Sequence, residues 1–215
     1  MRESTNALIK RLAHDALPVS PLLPPVLRAV ALLLPVLGLM TAIAFLGGNP
    51  TSVSAHLADP VFTFAVAGSL LTGISAFVAT FMLSVPGRSE SWGWLPVVPA
   101  AIWLSASTVQ CYRHIKESGI HDYSPFASAD CFVFIVMTGT PIAVATHFLL
   151  RRVLSTSLIG VTALAGLASA TLATALLTFF HPPGTNPVDF LTHVVAVSAL
   201  VLYMTTLGRG ALTPA

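Results

Sequence analysis

VFTFAVAGSLLTGISAFVATFMLS, residues 61–84, carries no charged side chain. A helix needs about 20 mostly apolar residues to cross a hydrocarbon layer about 30 Å thick, and it must satisfy its own backbone groups there. This stretch qualifies, and it is not alone. Comparable runs extend from Val26 to Gly47, Leu95 to Val109, Phe132 to Leu150, Ser157 to Phe180 and Val188 to Leu207. The chain as a whole is 55% hydrophobic and 8% charged, against about 25% charged in a soluble domain. The fold class that follows is all-α: a polytopic membrane protein with a bundle of about six transmembrane helices. The run from Leu95 is short and opens on Pro96 and Pro99, so five spans is the competing count. Trp92, Trp94 and Trp103 around it suit an interfacial belt. The first run is too long for a signal-peptide core and follows a polar head, so it reads as a retained anchor.

Lys and Arg set the orientation, because positively charged flanks stay in the cytoplasm. With six spans and both ends inside, Arg2, Lys10, Arg11, Arg28, Arg88, Arg151, Arg152 and Arg209 are cytoplasmic, eight of the ten basic residues. The expected location is a bacterial inner membrane. Residues 1–25 form a cytoplasmic segment, 26–208 the membrane domain and 209–215 a short cytoplasmic tail.

The spans are poor in chemistry. Arg28 lies at the end of one and Asp189 borders another, but no Lys, Arg, Asp or Glu lies deep within any. Ion-coupled carriers place ionisable groups on the intramembrane path, which counts against a proton-coupled transporter. His147 and His193 read as packing or interfacial residues rather than a relay. Gly68, Thr72, Ala76 and Thr80 recur every four residues, as do Thr162, Gly166, Ala170, Thr174 and Thr178. Such stripes allow close helix approach, although small residues are common in membrane helices anyway. Pro35 and Pro141 fall inside spans, where kinks are expected. There is no zinc-protease histidine pair, phosphate-binding glycine loop or G-x-S-x-G elbow. The expectation is a non-enzyme without cofactor and without direct nucleic-acid contact.

Function is then expected in the two polar stretches. At the N-terminus, Leu8, Leu12 and Ala16 recur with Ile9 and Ala13 beside them, while Lys10, Arg11, His14 and Asp15 take the opposite face. This pattern predicts a short amphipathic helix from about Ser4 to Ala16, ended by Pro18, with Pro21, Pro24 and Pro25 holding the chain extended. So short a helix is marginal alone, and its apolar face needs the membrane surface or a protein partner. Leu8, Ile9 and Leu12, with Arg11 and Asp15, are the candidate contacts.

The second stretch, CYRHIKESGIHDYSPFASADC (111–131), reads as a polar loop on the outer face, closed by the only two cysteines. An oxidising compartment permits a structural disulfide between Cys111 and Cys131, contributing roughly 3 kcal/mol on the loop-entropy model. A sensing pair that changes thiol state is the second reading, and unpaired buried thiols the third.

The segments LIKRLAHDALPVSPLLPPVLR (8–28), DCFVFIVMTGTPIAVATHFLLRR (130–152) and FHPPGTNPVDFLTHVVAV (180–197), set among six spans, resemble the NrsF-like anti-sigma factors. The resemblance implies a membrane protein that sequesters an extracytoplasmic-function sigma factor and releases it on stress, heavy metals or oxidants included, sensed at outer cysteines. Cys131 in ADCFVF matches the family cysteine opening span four. Where a second family cysteine follows a histidine after span five, this chain has His181 and then Pro182, so a two-thiol mechanism here requires Cys111. Cys111, His114, His121, Cys131 and His181 are the candidate ligands for a soft metal ion, since thiolate and imidazole suit such ions. The spacing has no repeated C-x-x-C. A small transporter or permease subunit is the alternative, with an enzyme third.

Overall fold

The computed structural model describes residues 5–15, 23–119, 125–150, 158–180 and 186–210, which contain helices and turns and no strand. In chain order these are α1 (Thr5–Asp15), α2 (Pro25–Gly47), α3 (Pro50–His56), α4 (Pro60–Leu83), α5 (Val97–Ser118), α6 (Pro125–Leu150), α7 (Leu158–Leu177) and α8 (Pro187–Gly210), with a 3-10 turn over Glu90–Trp94. Six helices, α2 and α4 to α8, are long and apolar enough to cross a membrane. The expected all-α bundle is therefore present, and the count is six rather than five. The prolines that weakened the third span are harmless: Pro96 caps α5 and Pro99 lies in its first turn, where no intrahelical N–H is lost.

Local chemistry explains where the helices start. Asn49 and Asp59 precede Pro50 and Pro60, and their side chains accept from the Ser52 and Val61 N–H groups, both at 3.0 Å. An Asx cap followed by proline at the first helical position is a strong start signal. Pro25 likewise opens α2, so it belongs to the helix and not to the extended spacer expected from the sequence. Pro24 is extended (φ −49°, ψ 142°), while Pro18 and Pro21 lie outside the described residues. Pro35 and Pro141 sit inside α2 and α6, as expected.

The six long helices alternate in direction. Arg28 at the start of α2 meets Phe81 at the end of α4; Arg113 late in α5 meets Asp59 at the start of α4; Gly208 late in α8 meets Thr162 early in α7. We call the end at which α2 starts the near end, and the opposite one the far end. Helix α7 is the hub, packed on α4, α6 and α8, whereas α2 and α5 pack chiefly on α4. Most of α7 is buried, from Val161 through Leu177 on nearly every face.

Both small-residue stripes lie at these contacts. A Cβ at Gly68 would fall 2.8 Å from the Trp103 backbone nitrogen, and one at Gly166 would fall 2.7 Å from the Val201 Cα. Glycine is what lets α5 and α8 approach so closely, and in lipid that close packing drives association. The buried hydroxyls satisfy themselves: Thr72 donates to Gly68 O (2.6 Å), Thr80 to Ala76 O (2.8 Å) and Thr174 to Ala170 O (3.0 Å). They act as small packing groups within the helix contacts.

Two readings of the sequence need correction. Trp103 is not part of an interfacial belt. It is buried over Gly68 between α4 and α5, while Trp94 is largely exposed. Residues 111–131 are also mostly not a loop. Helix α5 continues through Cys111 to Ser118 and stops at Gly119, whose φ of 72° favours glycine and whose N–H caps Ile115 O. Helix α6 already includes Cys131, and residues 120–124 between the two helices are outside the described set.

Candidate functional site

The N-terminal amphipathic helix exists as α1, Thr5–Asp15, while Ser4 and Ala16, the ends that the sequence pattern implied, lie outside the described residues. None of its residues is buried. Leu8, Ile9 and Leu12 remain 40%, 57% and 59% exposed. They form a three-residue apolar stripe, since positions i, i+1 and i+4 share a helix face. Arg11 and Asp15 are exposed too, and His14 lies 3.5 Å from the Asp15 carboxylate. The apolar face of this helix is presented rather than packed.

The two cysteines belong to different helix groups. Cys131 is only 2% exposed, in a cluster with Ile135 of α6, Ala170, Ala173 and Leu177 of α7, and Ala196 and Leu200 of α8. Asp130 and Asp189 lie within electrostatic range of its thiol. Asp189 is buried in the first turn of α8, where its N–H donates to the Asn186 side chain at 2.8 Å, and a carboxylate suits a helix N-terminus. Asp189 thus lies at the border of the last span, as expected from the sequence. Cys111 is half-buried on α5, whose main partner is α4. Neither thiol is part of a disulfide.

His114 follows Cys111 by one turn of α5, as the longer helix requires. His121 and His181 lie outside the described residues. Among the described residues, no group of three or more His, Cys, Asp or Glu side chains is placed to hold a metal ion. Cys111 with His114, and Cys131 with its two carboxylates, are separate features of the far end.

Three far-end features were missed in the sequence. Arg113 donates from Nη1 to both Asp59 oxygens at 3.2 Å, and the Gln110 side chain donates to Val61 O at 3.4 Å. These contacts tie the last turns of α5 to the start of α4. The short helix α3 is the second, and the Asn49-Pro50 pair was the available signal for it. The third is a contact between Gly48-Asn49 and Phe179, for which no sequence signal exists.

The fold and the exposed helix define a class: a multi-pass helical membrane protein, by its six long apolar helices, that offers one amphipathic helix at its N-terminus. The chain belongs to the NrsF family, negative regulators of sigma F, whose family model matches residues 12–213. The match covers all six long helices and Leu12, but Leu8 and Ile9 precede it. No curated protein and no solved structure matches the chain.

Proposed function

We propose that the chain is a membrane-bound anti-sigma factor that holds an extracytoplasmic-function sigma factor on α1 and releases it when a heavy metal or an oxidant acts at Cys131. The observation that carries this reading is the unburied stripe of Leu8, Ile9 and Leu12 on a helix tethered to the bundle of a sigma-factor regulator. A helix whose apolar face lies outside its own protein's core is suited to a groove in a partner.

Several observations support the remaining parts. If the six long helices all cross, the eight basic residues named above fall on one side by their order in the sequence, which supports cytoplasmic termini in a bacterial inner membrane. The division into residues 1–25, 26–208 and 209–215 follows from that orientation. Cys131 then lies toward the outer face, and Pro141, further along α6, offers a bending point toward the inner side. Modification of the thiol would have to fit among close-packed Ala170, Ala173 and Ala196, so it would favour a rearranged packing of α6, α7 and α8. The sigma factor, bound to one arrangement only, is released as the population shifts. In this reading the chain has no enzymatic activity, needs no cofactor and leaves DNA contact to the sigma factor. A tagged full-length chain, purified from gently solubilised membranes, should bring down one sigma factor.

A further inference from the structure

Helix α2 joins the N-terminal segment to the bundle, yet it is held loosely. One stripe, Ala29, Leu33, Met40 and Ala44, is buried, while Leu34, Leu39, Phe45 and Leu46 are between 63% and 88% exposed. Its two ends are fixed more specifically. At the near end the Arg28 guanidinium lies over the Phe81 ring of α4, 5.9 Å from the centroid. At the far end the chain leaves α2 through Gly47, Gly48 and Asn49, pressed against the end of α7. The Asn49 N–H donates to Phe179 O at 2.7 Å. A Cβ at Gly48 would stand 2.6 Å from the Ala44 carbonyl oxygen of α2, 2.9 Å from the Phe179 Cβ and 3.1 Å from the Phe179 carbonyl oxygen, so glycine is needed both to end α2 here and to permit this approach.

That contact is continuous with the thiol corner. The Phe180 ring packs on Phe134 of α6, with centroids 5.2 Å apart, and a Cβ at Gly47 would touch the same Phe180 ring at 3.4 Å. Phe134 lies one turn beyond Cys131 and packs against two clusters at once: the one containing Cys131 and the one beneath α2. A change in the packing of α6 against α7 therefore reaches α2 through two aromatic rings and a backbone hydrogen bond.

We propose that the Gly48–Asn49 contact with Phe179 is a latch that sets whether the N-terminal helix is presented to its partner. Closed, it holds α2 in the register that seats Arg28 on Phe81 and fixes the root of the segment bearing α1. Opened, it frees α2, attached by a single stripe, to shift along α4 and carry that root with it. The latch regulates the same sigma-binding helix and so rests on the proposed function.

The test joins Gly48→Cys with Phe179→Cys in the full-length chain. The two Cβ positions are close enough for a disulfide after a small adjustment. The probe is the sigma factor that co-purifies with the unaltered chain, tagged and added back. Coupling between two sites typically spans about 5- to 150-fold in affinity and is reciprocal. The oxidised double variant should hold the sigma factor at least about fivefold more tightly than the equally oxidised Phe179→Cys single variant, whose Cys131 meets the same oxidant, and added sigma factor should raise the yield of the 48–179 disulfide. Equal affinity in the two variants, with a yield indifferent to sigma factor, overturns the latch.

Should the double variant fail to insert, single substitutions decide. Gly48→Ala forces a methyl group onto Phe179 and should lower retention at least about fivefold. Gly38→Ala adds the same methyl group to α2 with nothing within 4 Å of it and should leave retention unchanged. Unchanged retention in Gly48→Ala overturns the proposal, as does an equal loss in both. If the unaltered chain binds no sigma factor, the clamp itself is wrong and the latch falls with it. Normal binding by the unaltered chain with indifferent variants counts against the latch alone.

Discussion

Leu8→Asp combined with Leu12→Asp places two carboxylates in the apolar stripe of α1. The two side chains are 40% and 59% exposed, so a partner that covers them removes about one full leucine equivalent from water. Burial of a leucine contributes about 1.5–3 kcal/mol. Loss of that term alone weakens binding by roughly 10- to 150-fold. Desolvating two carboxylates without partners costs more again, so the true loss should exceed the lower figure comfortably. The assay is titration of the co-purifying sigma factor against the full-length chain in detergent, with target-gene expression in unstressed cells read in parallel. A charge-matched control, Asn6→Asp with His14→Asp, introduces the same number of carboxylates on the opposite face and leaves the stripe intact. The stripe reasoning predicts a large loss in the first variant and a clearly smaller one in the control. Equal losses would trace the effect to helix propensity or net charge, and no loss in either would remove α1 from the interface.

Three further predictions concern the bundle. A reporter enzyme active only outside the cytoplasm should be active when fused at Ser118 or Gly184 and silent after Arg88 or Arg152; the reverse pattern would invert the proposed topology. Gly166→Leu drives a side chain into the backbone of α8 at Leu200 and Val201, and overpacking of this kind costs about 1–3 kcal/mol. It should lower the unfolding midpoint in detergent, while Gly38→Leu, with nothing within 4 Å of its Cβ, should not. Cys131→Ser should abolish induction by cadmium or an oxidant, locking target expression high or low. Cys111→Ser should leave induction intact, because the two thiols lie on differently packed helices; identical phenotypes would make them a functional pair.

Much of the fold was legible because the bilayer imposes a simple rule. Six apolar runs with no charge deep within them became six helices, the short one from Leu95 included, and two stripes of small residues spaced four apart became contacts of α4 with α5 at Gly68 and of α7 with α8 at Gly166. The polar segments were harder to read. YRHIKES after Cys111 looks like loop by polarity, yet it is helical because Arg113 and Gln110 find partners at Asp59 and Val61, more than 45 residues away in sequence. Trp103 resembles a belt residue until Gly68 is seen to make room for it. At the candidate site, the α1 stripe was readable from periodicity alone. The seating of Cys131 among three helices, and the meeting of Gly48 with Phe179, depend on tertiary packing that no local pattern encodes.

The central claim, that this chain holds a sigma factor through its N-terminal helix, is tested most directly by co-purification. The full-length chain and one lacking residues 1–16, both tagged at the C-terminus, are extracted from membranes in mild detergent and their partners identified by mass spectrometry. The account predicts one sigma factor, near stoichiometric, with the full chain and absent from the truncated one, while both insert equally. A full chain that retains no sigma factor, or a truncated chain that retains it undiminished, would contradict it.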